Sequence, residues 1–150
     1  MRVLYHQRNR ADRTVEAVLE ATLVGLEELL ASSDIVSLHC PLTPETRGLL
    51  NRERLGNMKH GAVLVNASRG PCVDEEALAE ALGTGQIFAA GLDVYSQEPR
   101  VPPGLAACEN AVLAPHLGSA DEATREKMAL VCVDGIIEVL RGGRPMNVVG

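Results

Sequence analysis

The chain has 150 residues, a formal net charge of −6 at pH 7 and only 2% aromatic residues. That length suits one domain with one core, and an acidic, aromatic-poor composition argues against a phosphate-tracking or base-stacking surface, so nucleic acid is not an expected partner. No apolar run approaches the roughly 20 residues that cross a bilayer and no apolar leader follows the N-terminus, so no membrane partner is expected and the expected location is cytoplasmic.

In chain order the pattern alternates between strand and helix. "RVLYH" (2–6) is a short apolar run, "GLEELLASS" (25–33) is helical with Leu26, Leu29 and Leu30 on one face, and "DIVSLHC" (34–40) is again a strand. A Pro/Thr turn leads to a short helix at "NRERLGNM" (51–58), and "AVLVNAS" (62–68) is the clearest buried strand. "DEEALAEALGTG" (74–85) is a helix with Asp74 as N-cap, acids in its first turn and glycines at its end. "FAAGLDV" (88–94) and "AVLAPH" (111–116) are two more strands, and a long helix covers 119–140 before Gly142 and Gly143. Strands that are apolar throughout, alternating with helices, imply a parallel sheet covered on both faces, an α/β doubly wound architecture. Cys40, Cys72, Cys108 and Cys132 lack the close spacing of zinc or dithiol sites, so reduced, mostly packed thiols and no metal are expected.

Ligands of such sheets bind off the carboxyl ends of the strands, and three ends carry chemistry there. "VNASRGP" puts Arg69 after a hydrophobic strand, "GLDVYSQEP" puts Asp93 at a strand end with Glu98 five residues on, and "LAPHLGSA" brings His116 out of a strand ahead of Gly118 and Ser119. Each alone also reads as a solvated or structural residue. Together, an arginine fork for a carboxylate, an orienting acid and a proton-donating imidazole form a set suited to reducing a 2-keto acid. Glu98 on the second imidazole nitrogen would fix the tautomer and favour the protonated ring. The hydride must come from a nicotinamide cofactor.

"HCPLTPETRGLLN", "VLVNASRGPCVDEEALAEAL", "AAGLDVYSQEP" and "LAPHLGSADEATR" together resemble the signatures of the D-isomer-specific 2-hydroxyacid dehydrogenases, over nearly all 150 residues. The resemblance implies that Arg69 binds substrate, Glu98 pairs with the histidine and His116 is the acid/base. It also implies that Asp93 lies by the nicotinamide carboxamide, and that Cys40-Pro41, Ala67-Ser68 and Gly118-Ser119 form backbone walls around the cofactor. "PHLGSA" resembles the glyoxylate, hydroxypyruvate and phosphoglycerate branches, whereas D-lactate enzymes carry a bulkier, aromatic sequence after the histidine. A complete member of this kind is expected to be a homodimer.

In that family "MRVLYHQRNR" resembles the second strand of the cofactor domain, and no G-x-G-x-x-G turn occurs anywhere in the chain. The expected fold is therefore an incomplete Rossmann-type doubly wound parallel sheet that lacks its first strand and glycine-rich turn. Residues 1–150 are expected to be a partial NAD(P)-binding domain without a substrate domain, and Met1 an internal methionine of a longer ancestor. The remaining sheet should have a gap at its centre, with an opening strand that frays or pairs wrongly. "YHQRNR" carries Arg8 and Arg10 and no acid before Asp12, where an NAD-preferring member would hold the ribose hydroxyls with a carboxylate. NADP is the favoured cofactor over NAD, the other reading being that both arginines are solvated loop residues. Two functions remain: an oxidoreductase acting on a small 2-keto acid such as glyoxylate or hydroxypyruvate, or a catalytically inactive remnant serving as a binding or oligomerisation module.

Overall fold

Four helices start on a side chain that completes their first turn. In the computed structural model, which describes residues 1–148, Asp12, Asn51, Asp74 and Asp121 each accept a hydrogen bond from a backbone N–H of the turn that follows. Such caps contribute about 1 kcal/mol apiece.

The chain forms two compact units, Met1–Pro115 and the segment from His116 onward. The first runs β1 (Val3–Tyr5), α1 (Arg13–Leu19), β2 (Ala21–Leu23), α2 (Leu26–Ser32), β3 (Ile35–Leu38), α3 (Arg52–Asn57), β4 (Ala62–Asn66), a 3₁₀ turn (Gly70–Cys72), α4 (Glu75–Gly83), β5 (Ile87–Leu92), α5 (Pro103–Ala106) and β6 (Ala111–Leu113). The second contains α6 (Glu122–Leu140). Every strand pairing is parallel, as strand–helix–strand connections require. β3, β4, β5 and β6 form one sheet in that order, and β1 and β2 form another.

The core lies under the four-stranded sheet. Leu30 of α2, Leu55 of α3, Leu78 of α4 and Leu105 of α5 are fully buried in one cluster with Val36, Leu38, Leu64, Ile87 and Leu92 of the strands. Burying a side chain of that size contributes about 1.5–3 kcal/mol.

Three features differ from the sequence reading. Helix α1 and strand β2 fill the stretch that the pattern left without structure. The sheet's burial alternates: Val36 and Leu38 point into the core while Ile35 stays 59% exposed, and Val112 of β6 is 74% exposed. Within the first unit α2 to α5 pack in succession on the face that carries this core. The opening strand is paired in regular parallel register with β2, Val3 to Ala21 and Tyr5 to Leu23, instead of fraying. The expected central interruption is present, since β1 and β3 lie in separate sheets and line a common cavity of about 880 Å³. Among the described residues no helix is long and apolar enough to cross a membrane.

Candidate active site at the carboxyl ends of the strands

Strand β4 ends in a side chain that organises the loop after it. Asn66 is 1% exposed, so its amide must find partners inside the protein. Its Nδ2 donates to the Arg69 carbonyl (3.1 Å), and its Oδ1 accepts from the Ser68 N–H (3.1 Å) and hydroxyl (2.9 Å). Its backbone carbonyl accepts from the N–H of Asp93 at 3.0 Å, tying the end of β4 to the end of β5. Ala67 and Arg69 are exposed on this turn while Ser68 is buried beneath it. Arg69 steadies its guanidinium by donating from Nη1 to the Ser68 carbonyl at 2.6 Å.

The next residue brings the second loop in. A β-carbon on Gly70 would fall 1.9 Å from the Tyr95 carbonyl carbon, so only glycine allows this approach of two main chains. The loop bearing Arg69 thus rests directly on the loop carrying Asp93 and Glu98. That second loop is pinned in its own right. The Glu98 carboxylate accepts from the Tyr95 N–H at 3.1 Å, and Glu75, on the first turn of α4, accepts from the Ser96 N–H at 2.7 Å. Tyr95 is buried, its hydroxyl lying 3.1 Å from the Leu92 carbonyl and 3.0 Å from that of Ala114, and burial pushes its pKa up.

At the end of β3 the Thr46 hydroxyl accepts from the Thr43 N–H and donates to the Pro41 carbonyl, each at 2.7 Å, which closes the Cys40–Pro41 turn. The Sγ of Cys40 lies 3.9 Å from that of buried Cys72, and burial, reinforced by that neighbour, pushes the Cys40 thiol up. All four cysteines are free, with Cys72 buried, Cys40 and Cys108 partly buried and Cys132 exposed. Among the described residues no group of three metal-ligating side chains gathers.

The loop after β1 divides the two arginines between different tasks. Arg8 is exposed on the wall of the cavity and close enough to Glu45 for its charge to help stabilise that carboxylate, which the Thr43 side chain holds down more strongly. Arg10 binds Glu16 of α1 through both nitrogens of one edge, Nε at 2.9 Å and Nη2 at 2.9 Å. Asp12 caps α1, so the nearest acid serves the helix. Sequence spacing alone presents Arg10 as an open cation, and it does not show the roles of Glu16, Asn66 and Gly70, which depend on the distant neighbours they meet.

His116 opens the second unit with φ +56°, a left-handed backbone that non-glycine residues seldom adopt. Gly118 and Ser119 follow, and Ser119 offers its carbonyl to Arg125 Nε at 3.0 Å as α6 begins at the Asp121 cap. Of the expected site residues, the first unit brings together Ser68, Arg69, Asp93 and Glu98 on neighbouring loops, and His116, Gly118 and Ser119 share one turn of the second.

An open parallel sheet with its polar residues gathered on loops beyond the strand ends is the architecture of a Rossmann-type nucleotide-binding domain. The chain belongs to the D-isomer-specific 2-hydroxyacid dehydrogenase family: the model of that family's NAD-binding domain matches residues 1–118. The glyoxylate reductase of Korarchaeum cryptofilum is 48% identical over 151 residues, which cover 99% of this chain and 45% of that protein. Glyoxylate/hydroxypyruvate reductase B of Erwinia tasmaniensis is 45% identical, covering 99% and 46%. The crystal structure of the TT0316 protein of Thermus thermophilus superposes with a TM-score of 0.91 at 52% identity, covering all of this chain and 46% of that one. The chain spans a little under half the length of the relatives it matches.

Proposed function

We propose that this chain carries the catalytic loops of an oxidoreductase that transfers a hydride between a nicotinamide dinucleotide and a small 2-keto acid such as glyoxylate or hydroxypyruvate. The single observation that carries the reading is the seating of Gly70 on Tyr95 and Ser96, which holds Arg69 and the Asp93–Glu98 loop side by side at two strand ends. Resemblance of "PHLGSA" to the glyoxylate and hydroxypyruvate branches, and the names of the relatives, support the substrate class.

The residues present fit a dinucleotide over part of its length. The cavity is lined both by His6 to Arg10 after β1 and by His39 to Pro41 after β3, so a sugar and a neighbouring ring can lie across these two strand ends. Cys40-Pro41, Ala67-Ser68 and Gly118-Ser119 would form backbone walls around it, with Asp93 beside the carboxamide. When bound, the nicotinamide supplies the hydride. Arg69 grips the substrate carboxylate and the adjacent carbonyl oxygen through its planar fork, orienting the carbonyl carbon and drawing charge to its oxygen. His116 gives a proton to that oxygen as it becomes an alcohol, and takes it back in the reverse direction. Glu98 holds the imidazole in the tautomer that keeps the donating nitrogen toward substrate.

NADP is the preferred cofactor in this reading, with Arg8 as the cation for a 2′-phosphate. Residues 1–150 form part of an NAD(P)-binding domain. The complete protein is taken as a cytoplasmic homodimer.

The test is a chimaera in which residues 1–150 replace the matching segment of the Korarchaeum cryptofilum glyoxylate reductase. It should oxidise NADPH when given glyoxylate. Arg69→Ala should raise KM for glyoxylate about tenfold to a hundredfold, the loss of one to two charge-assisted hydrogen bonds, with a smaller change in kcat. An unchanged KM refutes the role of Arg69, and a chimaera without any glyoxylate-dependent oxidation favours an inactive binding module.

A further inference from the structure

The acid of α1 nearest the cofactor-facing loop is buried where an unpaired charge would be costly. Glu16 has a side chain 10% exposed against 55% for Arg10. Its Oε1 accepts from Arg10 Nε at 2.9 Å and its Oε2 from Nη2 at 2.9 Å, and the Tyr5 hydroxyl donates to Oε1 as well. The Tyr5 oxygen in turn accepts from the Ala11 N–H at 3.1 Å. Both ends of the loop 6–10 are thereby fastened, one at the strand residue Tyr5 and one at Arg10. Removing Arg10 from Glu16 would strand the carboxylate, so the pair stays closed.

We propose that Glu16 is a specificity-determining positioning residue, which withdraws Arg10 from the ribose end of the cofactor site and leaves Arg8 as the arginine that meets a 2′-phosphate. This rests on the cofactor reading above. The charges of Arg10 and Glu16 cancel locally, so of the two loop arginines a phosphate meets only Arg8, whose charge Glu45 feels from nearby. Preference for a phosphorylated ribose is accordingly moderate, and the carboxylate of Glu16 sets its size from the first turn of α1.

Glutamine at this position keeps the shape and an acceptor oxygen but removes the charge. The experiment uses the 150-residue chain with two probes, adenosine 2′,5′-bisphosphate and AMP, and follows backbone amide shifts of loop 6–12 by NMR titration. Glu16→Gln should raise the affinity ratio of the bisphosphate over AMP about three- to tenfold, as expected for one further uncompensated charge near a solvent-exposed site. A residue that merely stabilises the fold would weaken both probes alike. Circular dichroism checks that the variant folds, and Glu16→Asp, whose shorter arm cannot reach both Arg10 nitrogens and Tyr5, should shift the ratio the same way. An unchanged ratio in the folded variants overturns the proposal, and so does failure of both probes to bind the parent chain. Arg8→Ala separates its failure from that of the cofactor reading: if Arg8→Ala lowers the ratio while the Glu16 variants leave it alone, only the role of Glu16 falls; if Arg8→Ala is also without effect, the NADP preference falls with it.

Discussion

A β-carbon on residue 70 would lie 1.9 Å from the carbonyl carbon of Tyr95 and 2.3 Å from the nitrogen of Ser96, main-chain atoms that no side-chain rotation can move aside. Gly70→Ala must therefore push the two loops apart, and overpacking of this kind costs about 1–3 kcal/mol. A lower urea midpoint at unchanged m is expected; a variant as stable as the parent would mean that the loops are not held by this contact. Arg69, Glu98 and His116 were legible as candidates because charged and polar residues at three successive strand ends are uncommon outside sites. Asn66 and Gly70, which place Arg69, were not, since a buried amide and a main-chain contact leave no mark on spacing. Arg10 illustrates the converse. Its charge is plain in the sequence, yet the partner that occupies it lies on the next helix and is reached only once Tyr5, Arg10 and Glu16 have converged.

At the scale of elements, the strongest signals were those that chemistry makes redundant. Helix α4 announces itself through Asp74, two acids in the first turn and glycine at the end, and Asp74 does accept from the Ala77 N–H at 3.0 Å. Asp74→Ala should lower stability by about 1 kcal/mol, and Asp74→Asn, which keeps an acceptor, should recover most of it. Equal losses in the two variants, measured by thermal unfolding, would show that the cap is not what matters at this position. The stretch containing α1 and β2 was harder to read, because β2 has three residues and the exposed Val15, Val18 and Leu19 of α1 leave no clean apolar stripe. The alternation of buried and exposed positions in β3 was hidden for a related reason. Ile35 is apolar but points away from the core, so the adjacent apolar residues Ile35 and Val36 hide the alternation of buried and exposed positions.

On the scale of the whole molecule, one unit carries the loops of Arg69 and Glu98 and the other opens with His116, so the candidate chemistry is divided between two bodies of the same chain. The parallel four-stranded sheet and its single core account for the fold of the first unit, and the interruption between β1 and β3 leaves a cavity lined by both strands, by α2 and by the loops that follow the two strands. His116 is the proposed proton donor in a hydride transfer to a 2-keto acid. That role is tested most directly by steady-state, glyoxylate-dependent NADPH oxidation in the chimaera with and without His116→Ala. Loss of a general acid should lower kcat by about 10²- to 10⁴-fold while KM for glyoxylate changes little; an alanine variant that retains the parent kcat would contradict the assignment.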